Sequence, residues 1–83
     1  MISLAQVKRV KEKYEEALMR KKGVVGCGVG YKIIAGQKTE EICIVCYVVK
    51  KLPEDQLAKT DIIPALIEDI PTDVVESGEI RVL

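Results

Sequence analysis

From Ser3 to Gly23 the apolar residues Val7, Val10, Tyr14, Ala17 and Leu18 recur at three- and four-residue intervals, the spacing of one face of an α-helix. Between them, Lys8/Glu12, Lys11/Glu15 and Glu16/Arg20 pair opposite charges one turn apart on the exposed side. Ser3-Leu-Ala-Gln6 has the form of a capping box, and Ile2 and Val7 stand where a hydrophobic staple would lie. Arg20, Lys21 and Lys22 complement the negative end of a helix dipole, and Gly23 suits the left-handed residue that stops a helix. Together these signals predict one amphipathic helix over about residues 4–22.

Two β-rich runs follow, Val24–Ile34 and Ile42–Lys50, separated by "AGQKTEE" with its turn residue Gly36. They read as an antiparallel hairpin. A loop centred on Gln37 would set Tyr31 opposite Cys43, Val29 opposite Val45 and Cys27 opposite Tyr47, with Gly26, Gly28 and Gly30 on the other side beside Val48, Cys46 and Ile44. The second run is apolar on both faces, which predicts a central strand or one covered by another subunit. Pro53 followed by Glu54, Asp55 and Gln56 signals a short helix, and Pro64 and Pro71 make Ile62–Ile70 extended or turn-rich chain over the core. Thr72–Glu76 and Glu79–Leu83 are the last strand candidates, divided by Ser77-Gly78.

Composition narrows this further. A chain of 83 residues makes a single domain, residues 1–83, with one small core. With no Phe or Trp, Ile, Val and Leu must fill it. Thirteen basic residues balance thirteen acidic ones, so no net field draws in nucleic acid or an anionic membrane, and neither is expected as a partner. No signal-peptide core and no run of about 20 apolar residues is present, and the chain is expected to be cytoplasmic. Its three cysteines lie in apolar strand-like sequence, which suits reduced thiols.

The candidate motifs read as structure. "GVVGCGVGYK" resembles a phosphate loop at first sight, but its spacing is G-x-G-x-G, a helix precedes it, and strand follows. The three glycines share one face of a strand and bare it for close approach by helix, loop or partner. Cys43-Ile-Val-Cys46 has C-x-x-C spacing, yet residues three apart on a strand point to opposite faces, and with no histidine in the chain only Cys27 could join them on a metal. The absence of histidine also excludes a Ser-His-Asp or Cys-His arrangement within this chain. The acidic pairs Glu40/Glu41, Glu54/Asp55 and Glu68/Asp69 fall in expected turns, where solvated charge is the ordinary state. No catalytic, cofactor-binding or metal-ligating residue is assigned, and no cofactor or enzymatic activity is expected.

Read together, the glycine-alternating strand with Tyr31-Lys32, the strand ending Val48-Val49-Lys50-Lys51-Leu52-Pro53, and Ile70-Pro71-Thr72-Asp73-Val74-Val75-Glu76 carry a resemblance over nearly the whole chain. The chain resembles the N-terminal segment that precedes the peptidase domain in bacterial trypsin-like serine peptidases of the narrow-leaf type. Cys27 and Cys46 depart from the small or branched apolar residues that suit this pattern, and Glu68-Asp69 stands in a turn where glycine is expected. In that family the triad would lie beyond this segment, so the resemblance carries over no catalytic residue. It implies a non-catalytic accessory module in a pro-segment, docking or oligomerisation role, with a trypsin-like peptidase domain or a second copy as partner. Two other readings stay open: a stand-alone ligand or metal binder using Cys27, Cys43 and Cys46, and a self-associating structural protein. The expected fold is α+β, a long N-terminal helix on a small antiparallel sheet of three or four strands in the order α-β-β-(short α)-β, with the bare glycine face receiving the helix.

Overall fold

The computed structural model describes residues 2–78. Helix α1 (Leu4–Met19) is followed by β1 (Val24–Ile34), β2 (Gln37–Val48), β3 (Leu66–Ile67) and β4 (Ile70–Glu76). The strands form one sheet in the order β1-β2-β4-β3. The expected α+β class is what the chain adopts, and β2 is the central strand that its two-sided apolar pattern called for. β1 pairs antiparallel with β2 and β3 antiparallel with β4, while β2 and β4 run parallel, so the sheet is mixed. The strand expected over Glu79–Leu83 lies outside the described residues.

The start of α1 is built as its sequence indicates. The Ser3 hydroxyl accepts from the Gln6 amide at 3.2 Å, and the Gln6 side-chain oxygen accepts from the Ser3 amide at 2.9 Å. The helix ends at Met19, three residues before the expected stop, because residues 20–22 turn away to meet the β2–β3 connection. Lys21 Nζ donates to the Thr60 carbonyl at 2.7 Å, and the Lys22 amide donates to Asp61 Oδ1 at 3.0 Å. Gly23, at φ +86°, then reverses the chain into β1.

The hairpin differs from expectation in its turn and in its register. Instead of a loop through "AGQKTEE", Ala35 (φ 52°) and Gly36 (φ 77°) alone make the turn between Ile34 and Gln37, both left-handed as a type I′ turn requires. Bulges between Val24 and Gly26 and between Tyr31 and Ile33 then shift the ladder. Cys27 stands opposite Cys46, Val29 opposite Ile44 and Tyr31 opposite Ile42, not opposite Tyr47, Val45 and Cys43. A shift of one residue exchanges every side chain between faces. Gly26, Gly28 and Gly30 therefore share a face with Cys43, Val45 and Tyr47, and the helix packs on the opposite face.

On that opposite face Ile44 and Cys46 meet Val7, Val10 and Leu18, with Ile67 and Ile70 closing the β3–β4 side. Burial of such side chains contributes roughly 1.5–3 kcal/mol each. On the glycine face Cys43 and Val45 are also buried. The far end of the hairpin bends back there: Lys32 Nζ donates to the Thr72 carbonyl at 2.8 Å, and the Ile33 amide donates to Asp73 Oδ2 at 3.0 Å. These bonds link β1 to β4 across β2, and the Asp73 and Lys32 charges act directly on the Cys43 thiol. The segment after Pro53 forms two 3-10 turns, Glu54–Gln56 and Lys59–Asp61, in place of a short α-helix. The buried Thr72 hydroxyl donates to the Pro64 carbonyl, which anchors the end of that connection to the sheet.

Candidate functional site

The glycine strand forms no phosphate cradle, since β1 runs straight on from Gly30 and opens no helix. What lies against it is Tyr47 of the neighbouring strand. A methyl group placed on Gly28 would stand 3.5 Å from the Tyr47 ring, one on Gly26 would stand 3.9 Å from it, and one on Gly30 would stand 3.3 Å from Val45 Cγ2. The bare face is thus filled by the chain's own hairpin, an aromatic ring lying across glycines on the adjacent strand. The helix does not take that place.

The cysteines divide as strand geometry demands, with Cys43 and Cys46 on opposite faces of β2. The register brings together Cys27 and Cys46, a directly opposed cross-strand pair on the helix-facing side. Sequence reasoning missed this pairing because it depends on the two-residue turn and on the irregularity between Tyr31 and Ile33. Burial pushes the Cys46 thiol up to about 12 and raises Cys27 and Cys43 as well. At neutral pH all three are protonated, weakly nucleophilic groups that pack as small apolar side chains. Among the described residues no three His, Cys, Asp or Glu side chains come together to hold a metal ion.

The acidic pairs do not converge either. Glu40/Glu41 and Glu54/Asp55 are exposed. Glu68 and Asp69 occupy the β3–β4 turn at φ 48° and 66°, left-handed values where a glycine would be unstrained. Glu68 is held by Lys13 Nζ at 2.8 Å. That bond, with the Tyr14 hydroxyl alongside, lowers the Glu68 carboxyl, and Lys13 and Tyr14 are raised in return. The arrangement ties the strained turn to α1.

Two further surface features concern the sheet. At the end of the sheet, a cavity of about 170 Å³ lies between Val24, Val48 and Val74 on its floor and Leu57 and Ile62 of the connection, with Lys51 at its rim. Along the side, β1 is an edge of the sheet with no strand on its outer side among the described residues. Above it the α1 residues Lys11 and Glu15 form an ion pair at 3.1 Å, and both charges act on Cys27 below. Nothing in the hydrophobic pattern distinguished this edge from a covered strand. No helix among the described residues is long and apolar enough to cross a membrane.

The family described as NARROW LEAF 1 N-terminal domain matches residues 3–76, from the N-cap of α1 to the last residue of β4. No curated protein matches the chain.

Proposed function

Taking as premise that the chain belongs to the NARROW LEAF 1 N-terminal domain family, we propose that it is a non-catalytic accessory module which works by protein–protein contact beside a trypsin-like peptidase domain. The observation that carries this reading is the extent of the match, which takes in all five elements of the fold as one unit. The resemblance to the segment preceding bacterial narrow-leaf-type peptidases supplies the class of partner. The chemistry of the chain agrees: it has no histidine for a triad, its thiols are held protonated, and the Glu68 carboxylate is tied to Lys13. The alternative of a thiol-based metal binder is less well supported, because Cys43 lies across the sheet from Cys27 and Cys46.

The test is binding. The purified chain, titrated into a separately expressed narrow-leaf-type peptidase domain, is expected to give a saturable complex, and to show no hydrolysis of casein by itself. Absence of binding across several such domains, or casein hydrolysis by the purified chain that a serine-directed inhibitor abolishes, would overturn the reading.

A further inference from the structure

The two edges of the sheet are built differently. β3, at one edge, is two residues long, and shortness is one way a sheet avoids pairing with another chain. β1, at the other, runs for 11 residues. Its segment Val24–Tyr31 contains no proline and no charge, and the first charged residue, Lys32, has its ammonium engaged by the Thr72 carbonyl. Between its two bulges, Gly26–Tyr31 pairs with β2 in unbroken register, so its outer side presents a regular row of backbone donors and acceptors. Among the described residues no strand pairs with that side.

The charge above the edge says which chain fits it. α1 packs over β1 and β2, and its Lys13 flank is turned toward β3, where Lys13 binds Glu68. Lys11 and Glu15 therefore lie on the opposite flank, above β1. A two-fold axis normal to the sheet would set a second β1 antiparallel to the first with both helices on the same face. With each helix axis between its own β1 and β2, a strand spacing of about 4.8 Å would set the two axes roughly 10 Å apart, the distance at which helices pack. Because the helices are antiparallel, Lys11 of each meets Glu15 of the other, so the edge is complementary to itself in charge as well as in backbone.

We propose that the β1 edge is a self-pairing surface that joins two copies of this chain through an antiparallel β1–β1 ladder, with Lys11 of each copy beside Glu15 of the other. This rests on the reading of the chain as an interaction module and names a second copy as the occupant of this edge. The glycine face and its Tyr47 cover stay outside the contact.

Sedimentation velocity of the full chain over a dilution series, with amide hydrogen exchange on the same samples, tests it. The expected result is a dimer of the 9.2 kDa chain that dissociates on dilution, with β1 amides losing protection as it does. Lys11→Glu and Glu15→Lys, each alone and each shown folded by circular dichroism, should weaken self-association about tenfold, because like charges then meet twice across the axis. Mixed together, the two variants should pair with one another about as tightly as the wild type pairs with itself, which a pair confined to one helix would not produce. A wild-type chain that is monomeric at every concentration overturns the proposal, as does failure of the mixed variants to recover. Outer β1 amides that become protected only on adding an extended peptide also overturn it and give the edge to a different chain. Binding of the peptidase domain is measured separately, so failure of self-pairing leaves the accessory-module reading to its own assay.

Discussion

Substituting the three alternating glycines one at a time should give effects of opposite sign. Alanine in place of a strand glycine at ordinary φ gains about 0.5–1 kcal/mol, chiefly by restricting the unfolded chain, provided the new methyl group fits. At Gly26 and Gly28 it fits, since the nearest atoms are Tyr47 ring carbons at 3.9 and 3.5 Å. Both substitutions should therefore stabilise the protein by that amount, roughly 2–8 °C in Tm for a domain of this size. At Gly30 the methyl would stand 3.3 Å from Cγ2 of Val45, a buried side chain with little room to turn away. Gly30→Ala is expected to destabilise by about 0.5–1 kcal/mol. Gly28→Val sends γ-carbons into the Tyr47 ring and should cost about 1–3 kcal/mol. Tyr47 is 37% exposed and can be truncated, so Gly28→Val measured in a Tyr47→Ala background should lose that penalty. Urea unfolding followed by circular dichroism reads the whole series, with an unchanged m-value as the condition for comparing midpoints. The reasoning is refuted if Gly30→Ala stabilises as much as Gly26→Ala, or if Gly28→Val costs the same with and without the Tyr47 ring.

Other perturbations reach different parts of the argument. Ser3→Ala removes half of the capping box and should cost about 1 kcal/mol, checked by the same unfolding assay. Ala35→Asn and Asp69→Gly place residues tolerant of left-handed φ in the two tight turns, and each should stabilise by about 0.5–1 kcal/mol, read as a rise in Tm. The Cys46 thiol has its folded pKa raised above its unfolded value of 9.0, so the folded state holds that proton more tightly. Stability from this source is complete below pH 9 and is lost as the pH rises toward about 12, and Cys46→Ala should make the alkaline limb of the stability curve shallower. For Glu68 the sign is reversed: its lowered carboxyl adds stability above its ordinary pKa of 4.5 that is lost as the pH falls, and Glu68→Gln should remove that part of the acid limb in a pH-dependent melting series.

The elements that were legible in the sequence are those specified by neighbours along the chain. Ser3, Gln6 and the 7-10-14-18 stripe fix α1 within a few residues, because capping and periodicity are local. The end of α1 was misplaced because the Lys22 amide is claimed by Asp61, a partner thirty-nine residues away. The hairpin was legible as an element but not in its register. Gly36 signals a turn, yet whether the loop holds two residues or seven depends on Ala35 accepting φ 52°, which nothing in its side chain advertises. Likewise the parallel pairing of β2 with β4 needs a crossover, and the Pro53–Ala65 stretch that makes it carries only a short helix signal at Pro53 and no sustained helical periodicity to announce one.

Register also decides which chemistry the chain can be credited with. Had the expected register held, Cys27 would lie beside Tyr47, the helix would press on bare glycine, and the face of Cys27, Val29 and Tyr31 would be the open surface to explain. The two-residue turn at Ala35-Gly36, with the irregularity between Tyr31 and Ile33, reverses that assignment. This register seats Tyr47 on the glycines, turns Cys27 and Cys46 together into the side that α1 covers, and leaves β1 as the longer of the two edges of the sheet that are unpaired among the described residues. A solvated edge can satisfy those groups with water, so their being unpaired is not by itself a force toward association. The force comes from what flanks them: a proline-free strand, uncharged over Val24–Tyr31 and regular between its bulges, under a helix flank whose two charges complement their own two-fold image. The trans-complementation of Lys11→Glu by Glu15→Lys isolates that term, because it restores the charge pairing only between molecules.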